Sequence, residues 1–188
     1  MKFTSANYLK KHVDIINNLD INNLDRILSI IDYTFKSNKK IFTCGNGGSA
    51  TTASHFITDW NKMVYLNTGL VLKGYSLTDN IGLITAWSND FDYSRCFSGQ
   101  LESLAEEGDL LVAISVSGNS KNVIEATKLA NLKRCTTISL TGFDGGELIK
   151  LSNYSFHVDS NDMQLCEDVH LMFGHLVMKH LSNLEIIV

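Results

Sequence analysis

Cys44-Gly45-Asn46-Gly47-Gly48-Ser49-Ala50 is a glycine-rich turn, and His55 and Asp59 follow it four residues apart. An apolar run, Lys40-Ile41-Phe42-Thr43, precedes the turn and a helical pattern over Ala50–Tyr65 follows it. The unpaired N–H groups of a first helical turn point outward, and the helix dipole favours negative charge beside them. Glycines let the backbone close on such an anion. His55 and Asp59 share one helix face at this spacing. An anion cradle next to an acid/base or metal-binding pair points to chemistry on a phosphorylated substrate.

Ser115-Val116-Ser117-Gly118-Asn119-Ser120 is a second cradle of the same kind, placed between the apolar run Leu110–Ile114 and another helical pattern. Neither loop is a nucleotide site. No Gly-Lys-Ser/Thr follows the first, and it lacks both the G-x-G-x-x-G spacing and the later acidic residue of a dinucleotide fold. Serine and asparagine are also ordinary helix caps. The pairing of two such turns is what favours a ligand, because two strand-to-helix turns of one parallel sheet can reach one crevice. Hydroxyl and amide donors without Arg or Lys suit a sugar phosphate monoester better than a polyphosphate. Asn89-Asp90 is either a helix end or a pair of groups for sugar hydroxyls. Glu167-Asp168-Val169-His170 and His175 lie in the last helical pattern. His175 falls among Met172, Phe173, Leu176 and Val177, where a lone histidine is ordinarily a core residue; His170 and His180 have no stronger claim.

Strand-length apolar runs recur at Lys40–Thr43, Leu70–Tyr75, Leu110–Ser115, Thr136–Leu140 and Tyr154–Val158. Helical patterns lie between most of them, at Ala50–Tyr65, Asn80–Trp87, Ser94–Ala105, Val123–Leu132 and Gly146–Leu151, and a last one covers Gln164–Leu184. Residues 6–37 also read as helical, with a break suggested by Asn17-Asn18 and Asn22-Asn23. Runs apolar throughout and alternating with helices predict a three-layer α/β/α sandwich around a parallel five-stranded sheet. Ligands of such sheets sit beyond the carboxyl ends of the strands. The tail Leu184–Val188 reads as a short strand or an interface segment.

With 188 residues, 44% of them hydrophobic and 19% charged, the chain has the size and make-up of a single globular domain over 1–188. A net charge of −4 and scattered basic residues argue against nucleic acid as the main ligand. No stretch reaches the roughly 18 apolar residues of a membrane span, and the N-terminus lacks a signal-peptide core. The four cysteines show no C-x-x-C spacing and read as free thiols of a cytoplasmic protein.

Taken in order and spacing, Cys44–Asp59, Asn89-Asp90, Ser115–Ser120 and Glu167–His175 resemble the sugar isomerase (SIS) domain family, and within it the sedoheptulose 7-phosphate (phosphoheptose) isomerases. The resemblance implies that Asn46, Gly47, Gly48 and Ser49 form the first substrate loop. It makes Asn89 and Asp90 sugar contacts, and Ser115, Val116, Ser117 and Ser120 the phosphate loop. It implies a zinc ion with His55 and His175 as ligands, His175 serving also as acid. It further implies a homotetramer with active sites at subunit interfaces, the 1–37 segment packing on the domain and on neighbouring subunits. The reaction implied converts sedoheptulose 7-phosphate to an aldose heptose 7-phosphate, the start of heptose synthesis for surface polysaccharide.

Two positions depart from that pattern. The family's basic Glu is here Asp59, and its metal- and substrate-binding Gln is here Glu167. The lost methylene is on the order of 1.5 Å, whereas a near-attack geometry tolerates about 1 Å of misplacement. The base is therefore Asp59, directly or through water, or else Glu167. His55, Asp59, Glu167 and His175 are all competent Zn²⁺ ligands. Glu167 and His175 are nevertheless about 12 Å apart along a regular helix, so they share one ion only if the helix start is irregular or they serve neighbouring sites. Altered base and metal positions also fit a non-catalytic SIS binding module, and the loops leave the identity of the sugar open.

Overall fold

The structure is a computed structural model and describes residues 3–183. Its elements are α1 (Ser5–Asn17), α2 (Ile21–Lys36), β1 (Lys40–Cys44), α3 (Gly48–Thr68), β2 (Lys73–Ser76), α4 (Ile81–Asp90) and α5 (Arg95–Leu104), followed by β3 (Leu110–Ile114), α6 (Lys121–Leu132), β4 (Thr136–Thr141), α7 (Leu148–Leu151), β5 (Tyr154–His157) and α8 (Met163–Ser182). The five strands form one sheet in the order β2-β1-β3-β4-β5. All four pairings are parallel.

The strands distribute their side chains between two cores with a period of two. Ile41, Leu110, Val112, Ile114, Ile138 and Leu140 point into one core with α2, α3 and α8. Phe42, Cys44, Leu111 and Ala113 point into the other with α5 and α6. This is the predicted three-layer sandwich, buried on both faces as parallel sheets require.

One close crossing positions the site. A side chain on Gly174 would stand 2.1 Å from the Phe56 ring, so only glycine lets α8 lie this near α3. Trp60 Nε1 donates to the Gly174 carbonyl at 2.8 Å. Phe56 is stacked on Trp60 and tilted against Phe173, and all three are buried. The residues flanking this crossing, His55 and His175, thereby come together.

Several boundaries differ from those predicted. β2 covers Lys73–Ser76, because α3 continues to Thr68 and stops only at Gly69, at φ 72°. Leu70 and Val71 stay outside the sheet and exposed. The break between α1 and α2 falls at Asn18–Asp20. Asn22 and Asn23 lie in the first turn of α2, where Asp20 caps the Asn23 N–H. α7 is a single turn, since Gly145 and Gly146 both have positive φ ahead of it. The Leu184–Val188 tail lies outside the described residues. Among the described residues no helix is long and apolar enough to cross a membrane, and all four cysteines are free and buried.

Candidate active site

β1 and β3 are neighbours in the sheet, and the turns after them open at the same end. A cavity of about 140 Å³ lies there, lined by Asn46, Ser49, Ser115, Val116, Ser117 and Ser120 of the two turns, by Ile114, and by Met163 and Glu167 of α8. Gly47, at φ 53°, turns the chain into α3 and makes no side-chain cap. Ser120 likewise precedes α6 without capping it. Its hydroxyl accepts instead from Ser115 Oγ at 3.1 Å. The loop is braced from within, where Ser117 Oγ accepts the Asn119 N–H at 3.2 Å and Asn119 Nδ2 donates to the Ser117 carbonyl at 3.0 Å. Two helix N-termini without side-chain caps thus flank a cavity rich in hydroxyls. Among the described residues no lysine or arginine lines it. Such a place favours an anion held by N–H and O–H donors.

Glu167 brings the one carboxylate to this wall. A side chain on Gly48 would stand 2.5 Å from Glu167 Oε1. The carboxylate therefore lies against the first residue of α3.

Asn46 is held by two residues that escape a reading of the sequence. Asn122 and Asn46 exchange amide hydrogen bonds in both directions at 2.8 Å. The Tyr93 hydroxyl donates to Asn46 Oδ1 at 2.8 Å. The available signal was position: Asn122 stands in the turn after Ser120, and Tyr93 three residues after Asp90. Asn89 and Asp90 themselves are exposed at the end of α4, Asn89 Nδ2 donating to Asp90 Oδ1 at 3.0 Å. They do not line the cavity.

The second cluster lies at the crossing of α3 and α8. His55 Nε2 is 3.3 Å from Asp59 Oδ2, and His175 Nε2 is 3.6 Å from the same oxygen. The two imidazole Nε2 atoms are 3.3 Å apart, with the rings edge to face. One ligand atom from each of the three residues falls within 4.8 Å of the others. His175 is thus no core histidine: its side chain is 48% exposed, and that of His55 is 45% exposed. Two imidazoles and a carboxylate with an open side fit the donor set of a catalytic divalent-metal site, which uses three protein ligands and leaves a position free.

Glu167 does not join this group. α8 is helical from Met163 to Ser182, so Glu167 and His175 are held about two turns apart on it, in two different clusters. His170, between them, is the buried core residue. Its Nε2 lies 3.2 Å from the Thr141 carbonyl, and burial is the main cause that brings its pKa down to about 4. Burial likewise pushes the thiols of Cys44 and Cys96 up, which leaves them protonated and unreactive beneath the first turn.

Comparison with known proteins shows the family and the fold. The SIS domain family profile matches residues 7–142. The phosphoheptose isomerase of Aliarcobacter butzleri is 41% identical over 160 residues, which are 85% of this chain and 84% of that one. The phosphoheptose isomerase of Campylobacter concisus is 36% identical over 167 residues, 89% of this chain and 85% of that one. The solved structure of phosphoheptose isomerase GmhA from Neisseria gonorrhoeae superposes with a TM-score of 0.87 at 28% identity, covering 95% of this chain and 97% of that one.

Proposed function

On the premise that the chain belongs to the SIS domain family and, within it, to the phosphoheptose isomerases, we propose that it converts sedoheptulose 7-phosphate to an aldose heptose 7-phosphate through an enediol. The observation that carries this reading is the convergence of the Asn46–Ser49 and Ser115–Ser120 turns on one cavity without cations. Ser115, Ser117, Ser120 and the N–H groups at the start of α6 hold the phosphate. Asn46 and Ser49 take oxygens of the open-chain sugar. Asn89 and Asp90, which lie outside the cavity lining, take no part in this reading within one chain. Gly47 and Gly48 keep the first turn free of side chains, and Val116 contributes apolar wall.

The chemistry is a proton transfer between neighbouring carbons. A carboxylate takes a proton from the carbon beside the carbonyl while His175 supplies one to the carbonyl oxygen, which gives the enediol; the enediol's other hydroxyl then returns its proton to His175 as the carboxylate delivers its proton to the former carbonyl carbon, which gives the aldose. The carboxylate is Glu167, on the cavity wall, or Asp59, beside the two histidines. The carbon acid is far weaker than any carboxylic acid, so donors aimed at the developing oxyanion must supply much of the rate. His55, Asp59 and His175 would hold a divalent ion such as Zn²⁺. When bound it supplies Lewis-acid stabilisation of that oxygen. Glu167 cannot reach the same ion from the same chain.

We infer that the two clusters complete each other between copies, in a homotetramer whose active sites lie at interfaces. In support, α1 buries none of its residues, and its Leu9, Val13 and Ile16 form an exposed apolar stripe at helical spacing. Tyr8 and His12 tie the other side of α1 to Asp168 of α8, at 2.6 and 2.9 Å. The 1–37 segment then belongs to one SIS domain and to its contacts with neighbours. Four buried free thiols fit a cytoplasmic setting. Incubation with sedoheptulose 7-phosphate and detection of the aldose product tests the reading, and a bound but unconverted sugar phosphate would leave a binding module.

A further inference from the structure

We propose that Asn122 and Tyr93 are positioning residues that lock the Asn46 amide so that it shows the substrate a hydrogen-bond donor and never an acceptor. The inference rests on the isomerase reading only for its kinetic readout; the lock itself follows from hydrogen-bond accounting. A primary amide has two N–H donors and two acceptor lone pairs. Asn46 Oδ1 accepts from Asn122 Nδ2 at 2.8 Å and from the Tyr93 hydroxyl at 2.8 Å, which uses both lone pairs. Asn46 Nδ2 donates to Asn122 Oδ1 at 2.8 Å, which uses one hydrogen. The one capacity left is an N–H, on a residue that lines the cavity.

The lock holds because Asn122 cannot turn over. It is 2% exposed. Its Oδ1 also accepts the Val123 backbone N–H at 3.0 Å, and its Nδ2 also donates to Cys96 Sγ at 3.3 Å. A backbone N–H is a donor by its covalent structure, so Val123 fixes which end of the Asn122 amide faces it. The reciprocal pair then fixes Asn46. An asparagine free in a glycine turn would present either end to the ligand. Here the choice is made at the first turn of α6 and carried to the turn after β1. Tyr93 adds the segment that follows α4, so three segments around the cavity are held in register through one amide. A donor-only amide suits a sugar or phosphoryl oxygen that gains negative charge, and it is unsuited to a ligand N–H.

Double-mutant cycles test this. Asn46→Ala, Asn122→Ala and Tyr93→Phe are made singly, and the last two are also combined with Asn46→Ala. For each, kcat/KM with sedoheptulose 7-phosphate and its calorimetric Kd are measured. Loss of one hydrogen bond in Tyr93→Phe is expected to lower kcat/KM about three- to tenfold, and Asn122→Ala by more than about tenfold. In the Asn46→Ala background both changes should cost less than about twofold, because residues acting through Asn46 have nothing left to position. Equal losses in both backgrounds would overturn the proposal, since a purely structural role lowers activity whether or not Asn46 is present. If Asn122→Ala does not fold, the Tyr93→Phe cycle decides alone, its side chain being exposed at the surface. If the wild-type protein binds the sugar phosphate without converting it, the isomerase reading fails and the same cycle is scored on Kd.

Discussion

His55 Nε2 and His175 Nε2 stand 3.3 Å apart although 120 residues separate them in the chain. They meet because Gly174 lets α8 close on Phe56 of α3, and Asp59 completes the group from the next turn of α3. The protein should therefore bind one divalent ion per chain at this crossing. A zinc titration with His55→Ala as control checks it, with at least a tenfold loss of affinity expected in the variant. Equal affinity in the two would remove the metal from this site.

The two glycines of close approach should respond in opposite ways. An added methyl on Gly174 meets a Phe56 ring packed between Trp60 and Phe173, which has nowhere to go. Gly174→Ala should cost about 1–3 kcal/mol or more of stability, as overpacking does, and part the two histidines. Gly48→Ala meets only the end of the Glu167 side chain, which can swing aside. It should fold with a nearly unchanged melting temperature and lose turnover. Thermal melts alongside steady-state kinetics separate the two, and a folded, fully active Gly48→Ala would show that Glu167 need not stay where it is.

The phosphate end can be probed at Ser115, which is 4% exposed and donates to Ser120 Oγ. A hydrogen bond to a charged group is worth about 1.5–3 kcal/mol. Ser115→Ala should raise KM for the sugar phosphate roughly 10- to 100-fold. The effect should vanish for binding of the unphosphorylated sugar; an equal loss with both ligands would put the phosphate elsewhere.

His170 predicts the pH dependence of stability. Its pKa falls from 6.5 to about 4 on folding, chiefly by burial. The folded state therefore favours the neutral ring. That stability is present above about pH 6.5 and is lost as pH falls through 6.5 towards 4, to a total of about 3 kcal/mol. Chemical denaturation at a series of pH values should show this slope, and His170→Gln should flatten it. The same slope in His170→Gln would assign it to other groups.

How far the sequence speaks for itself differs between fold and site. The strands were legible because Ile41 and Phe42, or Leu110 and Leu111, are apolar on both faces, as a doubly covered parallel strand must be. The two cradles were legible because each is a local motif of glycine, serine and asparagine between a strand and a helix. Asn122 is not legible, because a polar residue in a helix gives no local sign of being buried against Asn46. His175 reads as a core residue from its neighbours alone, since Phe173 and Val177 are indeed buried, and only the family resemblance marks it as a ligand; the crossing at Gly174 is what brings it to His55. The separation of Glu167 from His175 was foreseeable from helix rise. The contact of Glu167 with Gly48 was not, because it depends on where α8 crosses the start of α3.

The measurement that bears most directly on the central claim is turnover of sedoheptulose 7-phosphate in D₂O with zinc present, followed by NMR. An enediol formed by a side-chain base predicts an aldose heptose 7-phosphate carrying deuterium at the carbon that was the ketose carbonyl. Sugar phosphate that stays bound, unconverted and free of deuterium would contradict the isomerase account.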